Sequence, residues 1–221
     1  MNFLKKFDPR SKNQMTLRPV KKHATAKRST LSAYTKATLG SGNLSSAVKV
    51  PIDEDKMEWL AANTVDFFNE VSLLYGLVLD DADRYKKPGE GFPPGFEYRW
   101  ASAKGKKPQR CSSPEYVEFV MVWVEDQVNN ESIFPVQESQ PFPDEFFNYV
   151  KAIFKRLFRV FAIVYHRHFQ VIEAVEAAKH LNTCFKHFMF FCFEFGLLPP
   201  NETKALSGPV KNLQKQFAAM Q

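Results

Sequence analysis

KRLFRVFAIVYHRHF, residues 155–169, decides the fold, because Leu157, Phe158, Phe161 and Tyr165 recur at three- and four-residue steps, the period of a helix that buries one face. On the same stretch Lys155, Arg156 and Arg159 crowd together, and Lys151 extends the row by one turn. Like charges at these steps repel and mildly destabilise an isolated helix, so something outside it has to compensate. Carboxylates elsewhere in the fold can do so. A phosphate can also, since two arginines and two lysines would grip it through charge-assisted, partly bidentate hydrogen bonds. Composition leaves both readings open.

Working outward, Pro143 and Asp144 start this helix, and its inner face runs back through Phe154, Val150 and Phe147. After a break near residues 170–180, Asn182 or Thr183 is expected to cap a helix that is apolar nearly all round, through Phe185, Phe188, Met189, Phe191, Cys192 and Phe195. A helix with so little polar surface belongs at the centre of the protein. Gly196 ends it, Pro199 and Pro200 prevent continuation, and residues 209–219 suit a weaker amphipathic helix.

Upstream, Pro51–Asp55 open a long helix, with Asp55 and Glu58 spaced as a capping box. Its inner face is Met57, Leu60, Ala61, Thr64, Phe68, Val71, Leu74, Tyr75 and Val78. Glu58, Asp66 and Glu70 line the other side, beside Trp59 and near Asn63. Such a row is either a solvated face or, given an indole among carboxylates, a surface for a partner. Ser113 and Pro114 begin a further helix that runs through Val128. Residues 80–95 and 129–143 are charged or Pro-rich loops, and FEYRWA (96–101), a turn at Gly105 and QRC (109–111) suit a small β-hairpin. Long helices with one hairpin predict an all-α helix bundle.

The chain has 221 residues, 22 of them Phe, and a net charge of +6. That average conceals an asymmetry: residues 1–30 hold nine Lys/Arg against Asp8 alone, so the rest of the chain sums to −2. The expected organisation is a flexible basic arm over residues 1–32 and one helical domain over 33–221. A basic arm on a slightly acidic domain differs from a nucleic-acid binder, whose charge spreads across the folded surface. No nucleic-acid partner is therefore expected, although an arm acting on nucleic acid or a membrane surface would show steeply salt-dependent binding. The longest apolar run, Phe188–Leu198, is too short for a membrane span and contains Glu194. Cys111, Cys184 and Cys192 form no disulfide pattern, which points to a reducing, cytoplasmic setting.

Nothing in the sequence demands an enzyme: phosphate-loop, dinucleotide, nucleophile-elbow, zinc-protease and kinase motifs are all missing. Asp80, Asp81 and Asp83 lack the spacing of a calcium loop. His166 and His168 stand two apart on a helix, where side chains diverge, so they make a poor metal pair.

In order and spacing, TLGSGNLSSAVKVP (38–51), EWLAANTVDFFNEVSLLYG (58–76), FEYRWA with KKPQRCSSPEYVEF (96–119), KRLFRVFAIVYHRHF (155–169) and HLNTCFKHFMFF (180–191) resemble the Mob/phocein family, and most closely its kinase-activating branch. The resemblance covers residues 33–200. It implies a Mob-type helical fold around a four-helix bundle with a small hairpin, and a non-catalytic co-activator that binds the basic N-terminal region of an NDR/LATS-type AGC kinase in Hippo-like and mitotic-exit pathways. The implied setting is cytoplasmic, or nuclear, or at the spindle pole and cell-division sites. The family's kinase-facing surface falls on Glu58, Trp59, Asp66, Glu70, Leu73, Leu74 and His187. Its pocket for phosphothreonine motifs of upstream Ste20-type kinases falls on Lys155, Arg156 and Arg159. Thr16 and Thr38 match threonines whose phosphorylation releases or reorients a segment covering the kinase surface. A phocein-like scaffold of a striatin-phosphatase assembly is the alternative role.

Members of the family hold a structural zinc on two cysteines and two histidines. Those positions here are Ala82, Lys87, Ile163 and His168, and one ligand does not make a tetrahedral site. The expectation is a fold without zinc or other cofactor.

Overall fold

A computed structural model describes residues 21–40, 42, 44–101, 107–137 and 139–220. Nine α-helices are placed among them: α1 (Ala26–Gly40), α2 (Leu44–Val48), α3 (Lys56–Gly76), α4 (Leu79–Ala82), α5 (Ser113–Asn129), α6 (Phe146–Ile163), α7 (Phe169–Ala174), α8 (Ala178–Phe195) and α9 (Ser207–Ala218). The fold is all-α, and α3 packs against α1, α5, α6 and α8.

Local chemistry explains the helix ends. The Asp55 carboxylate accepts hydrogen bonds from the backbone of Met57 (2.8 Å) and Glu58 (2.9 Å), satisfying two orphan donors at the start of α3. At α5 the Glu115 carboxylate reaches back to the Ser112 amide (2.7 Å) and hydroxyl (3.0 Å). Gly196 closes α8 in the left-handed region (φ 60°), as its sequence position predicts. The break expected near residues 170–180 is shorter than its composition suggested. Only Val175–Ala177 interrupt the helices, where Glu176 adopts φ 58° and turns the chain into an earlier α8.

The phenylalanines account for the centre. Phe67 of α3, Phe154 of α6 and Phe188 and Phe191 of α8 meet with ring centroids 5.2–5.6 Å apart, all but fully buried. Edge-on and offset contacts of this kind fix the relative rotation of the three helices as well as burying area.

Two expectations need correction. Among the described residues the hairpin is one antiparallel bridge, Trp100 with Gln109, with hydrogen bonds of 3.1 and 2.8 Å and no extended strand. Its aromatic residues pack sideways onto α5, Trp100 stacking on Phe119 at 5.6 Å, in place of cross-strand partners. Residues 21–32, expected to belong to a flexible arm, are also part of the packed fold. Residues 21–32 lie against α3, with Arg28 (2% exposed), Leu31 and Ser32 buried, because the acidic row on α3 gives their positive charges a partner. Residues 1–20, with Thr16 among them, lie outside the described residues.

Candidate functional site

Two charged assemblies stand out. In the first, α1 covers the acidic side of α3. Arg28 donates from Nε to Glu58 Oε2 at 2.7 Å and from Nη2 to the Pro135 carbonyl at 2.7 Å, while its guanidinium lies 5.3 Å from the Phe142 ring. His23 Nε2 and Ser32 Oγ both lie 3.0 Å from Asp66 Oδ1, and Asn69 bridges the backbone of Lys21 in both directions, at 2.6 and 2.7 Å. Glu58 therefore serves Arg28, not the reciprocal cap its spacing predicted.

The residues matched to a kinase-facing surface divide in two. Glu58, Asp66, Glu70 and Leu73 lie at partly exposed positions on the seam. Trp59, expected on an exposed face, is fully buried under Tyr34 of α1 and donates from Nε1 to the Val48 carbonyl of α2 at 3.3 Å. Leu74 and His187 are buried too, the His187 imidazole tilted against Phe67 at 4.7 Å.

The seam is not fully satisfied. His23 Nδ1, Asp66 Oδ2, Glu70 Oε2 and both His187 ring nitrogens are buried without hydrogen-bond partners among the described residues. Such orphans cost stability, and they mark a junction less well made than the core beside it. Burial, reinforced by the Asp66 charge, pushes the Glu70 carboxyl up to about 7, and burial pushes His187 down to about 4. The two act in opposite directions. Glu70 holds its proton longer in the folded chain, so its contribution is fully present below its ordinary value of 4.5 and is lost as pH rises through about 7. His187 stays neutral, so its contribution is present above its ordinary 6.5 and lost as pH falls towards about 4. Glu70→Gln removes the first term. Its stability relative to the parent chain is expected to rise by about 2–3 kcal/mol between pH 4.5 and 8, read from urea unfolding at each pH. A difference that is flat across this range would contradict the assignment.

The second assembly joins α6 to the turn after α8. Lys155 Nζ lies 2.7 Å from Glu202 Oε1 and Arg159 Nη2 lies 3.0 Å from Glu202 Oε2. Arg159 Nη1 also donates to the Tyr116 hydroxyl of α5 at 3.1 Å, and its guanidinium lies 5.0 Å from the Tyr98 ring. Arg156 instead donates to the Ala152 carbonyl at 2.9 Å and lies 4.1 Å over Trp123 and 5.6 Å from Trp100. Burial lowers the Arg156 pKa, and these aromatic faces hold the charge in place of water. The internal carboxylate that the like-charged row required is thus Glu202. Nothing near Glu202 in the sequence signalled it, because residues 199–203 lack periodicity and meet α6 only in three dimensions.

The positions that match the family's zinc ligands do not fit the metal. Ala82 and Ile163 are buried and carry no side-chain donor atom, and His168, hydrogen-bonded through Nδ1 to Asp81 Oδ2 at 2.6 Å, does not make a tetrahedral site by itself. No group of three His, Cys, Asp or Glu side chains suited to a metal occurs among the described residues. Direct contacts tie the loop to the helix instead. A π-helical turn, Val164–His168, aims Arg167 Nε at the Phe92 carbonyl (2.6 Å) and His168 at Asp81, while Arg84 Nη2 reaches the Arg167 carbonyl (2.9 Å). His166 turns elsewhere, to the Ala205 carbonyl at 2.7 Å, so the two histidines diverge. Purified protein is expected to carry no stoichiometric zinc and to keep its melting temperature in a chelator. Tight one-to-one zinc uptake, or a chelator-induced fall, would contradict this.

The Mob1/phocein family model matches residues 36–206. The chain is 47% identical over 204 residues to a MOB kinase activator-like 1A of Arabidopsis thaliana, covering 91% of this chain and 95% of that protein. It is 48% identical over 205 residues to a MOB kinase activator-like 1A of Medicago sativa subsp. falcata, covering 92% and 95%. A MOB kinase activator-like 1 homolog A of Dictyostelium discoideum is 45% identical over 206 residues, covering 92% and 97%. An all-α protein with an acidic seam along α3 and a basic cluster on α6, this chain belongs to the Mob1/phocein family.

Proposed function

We propose that this protein is a non-catalytic co-activator that binds the basic N-terminal region of an NDR/LATS-type kinase along the acidic side of α3, and docks phosphothreonine peptides on Lys155, Arg156 and Arg159. One observation carries the first half: a basic segment of the protein's own chain, α1 and the residues just before it, already lies on that side, held by Arg28 to Glu58 and by His23 to Asp66. A face that takes its own cationic helix is suited to another. The chain would exchange one for the other, with α1 as the cover and the kinase helix as its replacement.

Thr38 fits a release step. It sits in the last turn of α1. A phosphate there adds close to two negative charges at the helix end whose dipole is already negative, which opposes the bound conformation. The cytoplasm, the nucleus and division sites are the proposed settings.

The test is a kinase assay with purified components. Adding the full chain to an NDR/LATS-type kinase is expected to raise its rate on a peptide substrate several-fold. No stimulation at saturating concentration would favour the scaffold role in a striatin-phosphatase assembly.

A further inference from the structure

We propose that Glu202 is a built-in occupant of the anion site on α6, a tethered carboxylate that an incoming phosphothreonine has to displace and that thereby sets the strength of anion admitted. This rests on the reading of Lys155, Arg156 and Arg159 as a phosphothreonine site.

The geometry is that of a ligand. Each Glu202 oxygen takes a different cation, Oε1 from Lys155 at 2.7 Å and Oε2 from Arg159 at 3.0 Å, as two oxygens of a bound phosphate would. These two contacts use only part of the site. Arg159 Nε is buried without a partner among the described residues, and Arg156 is held over Trp123 with its charge directed to no carboxylate in these two ion pairs. A carboxylate brings two oxygens and one charge; a phosphate brings three oxygens and about 1.5 to 2 charges. The dianion therefore replaces both Glu202 contacts and still has an oxygen for the donors that Glu202 leaves unmet.

Displacement is also mechanically simple. Glu202 lies in a turn between Pro200 and the short 3-10 helix Lys204–Leu206, in which the Glu202 amide bonds the Pro199 carbonyl at 3.0 Å and Thr203 Oγ1 bonds the Pro200 carbonyl at 3.1 Å. These two bonds hold the turn without the carboxylate. The Glu202 side chain is 18% exposed and Lys155 38%, so a rotation takes the carboxylate into water and not through the core. Every anion meets the same competition. Glutamate or aspartate in a peptide gains no more than Glu202 already has, and falls below the working range, whereas phosphothreonine keeps a usable affinity.

The experiment titrates N-acetyl-phosphothreonine N-methylamide into the full chain and into Glu202→Gln, following the Arg159 Nε–H resonance. If Glu202 is seated in roughly nine molecules of ten, the variant binds about tenfold tighter. Equal or weaker binding by Glu202→Gln, with clear binding by the parent chain, would overturn the proposal and leave the phosphate site standing. Binding by neither protein would overturn the phosphothreonine reading and the proposal with it. A second measurement needs no variant: on saturation of the parent chain, the Glu202 side-chain carboxyl carbon resonance is expected to move to the position of a solvated glutamate. A resonance that stays in place while the site fills would overturn the displacement.

Discussion

Replacing Arg28 with alanine is expected to lower the unfolding free energy by about 2–4 kcal/mol, and yet to improve binding of a basic kinase helix. The loss is large because Arg28, at 2% exposure, holds three things together: the Glu58 carboxylate at 2.7 Å, the Pro135 carbonyl of the loop before α6 at 2.7 Å, and the Phe142 ring at 5.3 Å. Alanine leaves a carbonyl and a partly buried carboxylate without their donor. The gain in binding follows from the proposed competition between α1 and a kinase helix for the acidic side of α3. A cover that is displaced more often lowers the apparent dissociation constant by the same factor, about tenfold if α1 is open in most variant molecules. Urea unfolding measures the first effect. Amide hydrogen exchange shows whether it is localised, because α1 amides should lose protection while those of α6 and α8 keep it. Unchanged α1 protection would contradict the cover.

The Glu58→Lys/Asp66→Lys pair is expected to abolish kinase binding, with a fall in affinity of about a hundredfold or more, because like charges set against each other at an interface cost several kcal/mol. In the folded chain the same substitutions set one new lysine against Arg28 and the other against His23, so they too release α1. The two variants therefore uncover the same surface but give it opposite charge. Recovery of a kinase from native lysate by affinity capture separates them: Arg28→Ala should retain it at least as well as the parent chain, and the charge-reversed variant should lose it. Equal loss by both would mean that α1 contributes to the kinase interface and does not compete for it.

The helices were legible where one periodicity governs. Asp55 as the cap of α3, Gly196 as the end of α8 and the apolar row from Phe154 to Phe161 all follow from local rules, and the structure has them there. The site was legible only by its own charges. The acidic row and the basic row are each visible along one helix, but what answers them is far away in sequence. Arg28 reaches Glu58 across 30 positions and Arg159 reaches Glu202 across 43, and no local pattern announces such pairs. Trp59 shows the cost. Placed on the polar side by helical spacing, it is buried because α1 and α2 close over it, and both were outside the reading of α3 as a surface helix. The shortened hairpin has a similar origin, since Trp100 and Tyr98 pack on Phe119 and Tyr116 of α5 more than across a ladder.

The most direct measurement is calorimetric titration of a basic N-terminal helical fragment of an NDR/LATS-type kinase into three full-length proteins: the parent chain, Arg28→Ala and Glu58→Lys/Asp66→Lys. If the acidic side of α3 is the docking surface and α1 its cover, affinity follows the order Arg28→Ala, parent chain, charge-reversed variant, with the last showing no heat of binding. Undiminished binding by the charge-reversed protein would contradict the account, since the fragment would then be held by a surface that Glu58 and Asp66 do not form.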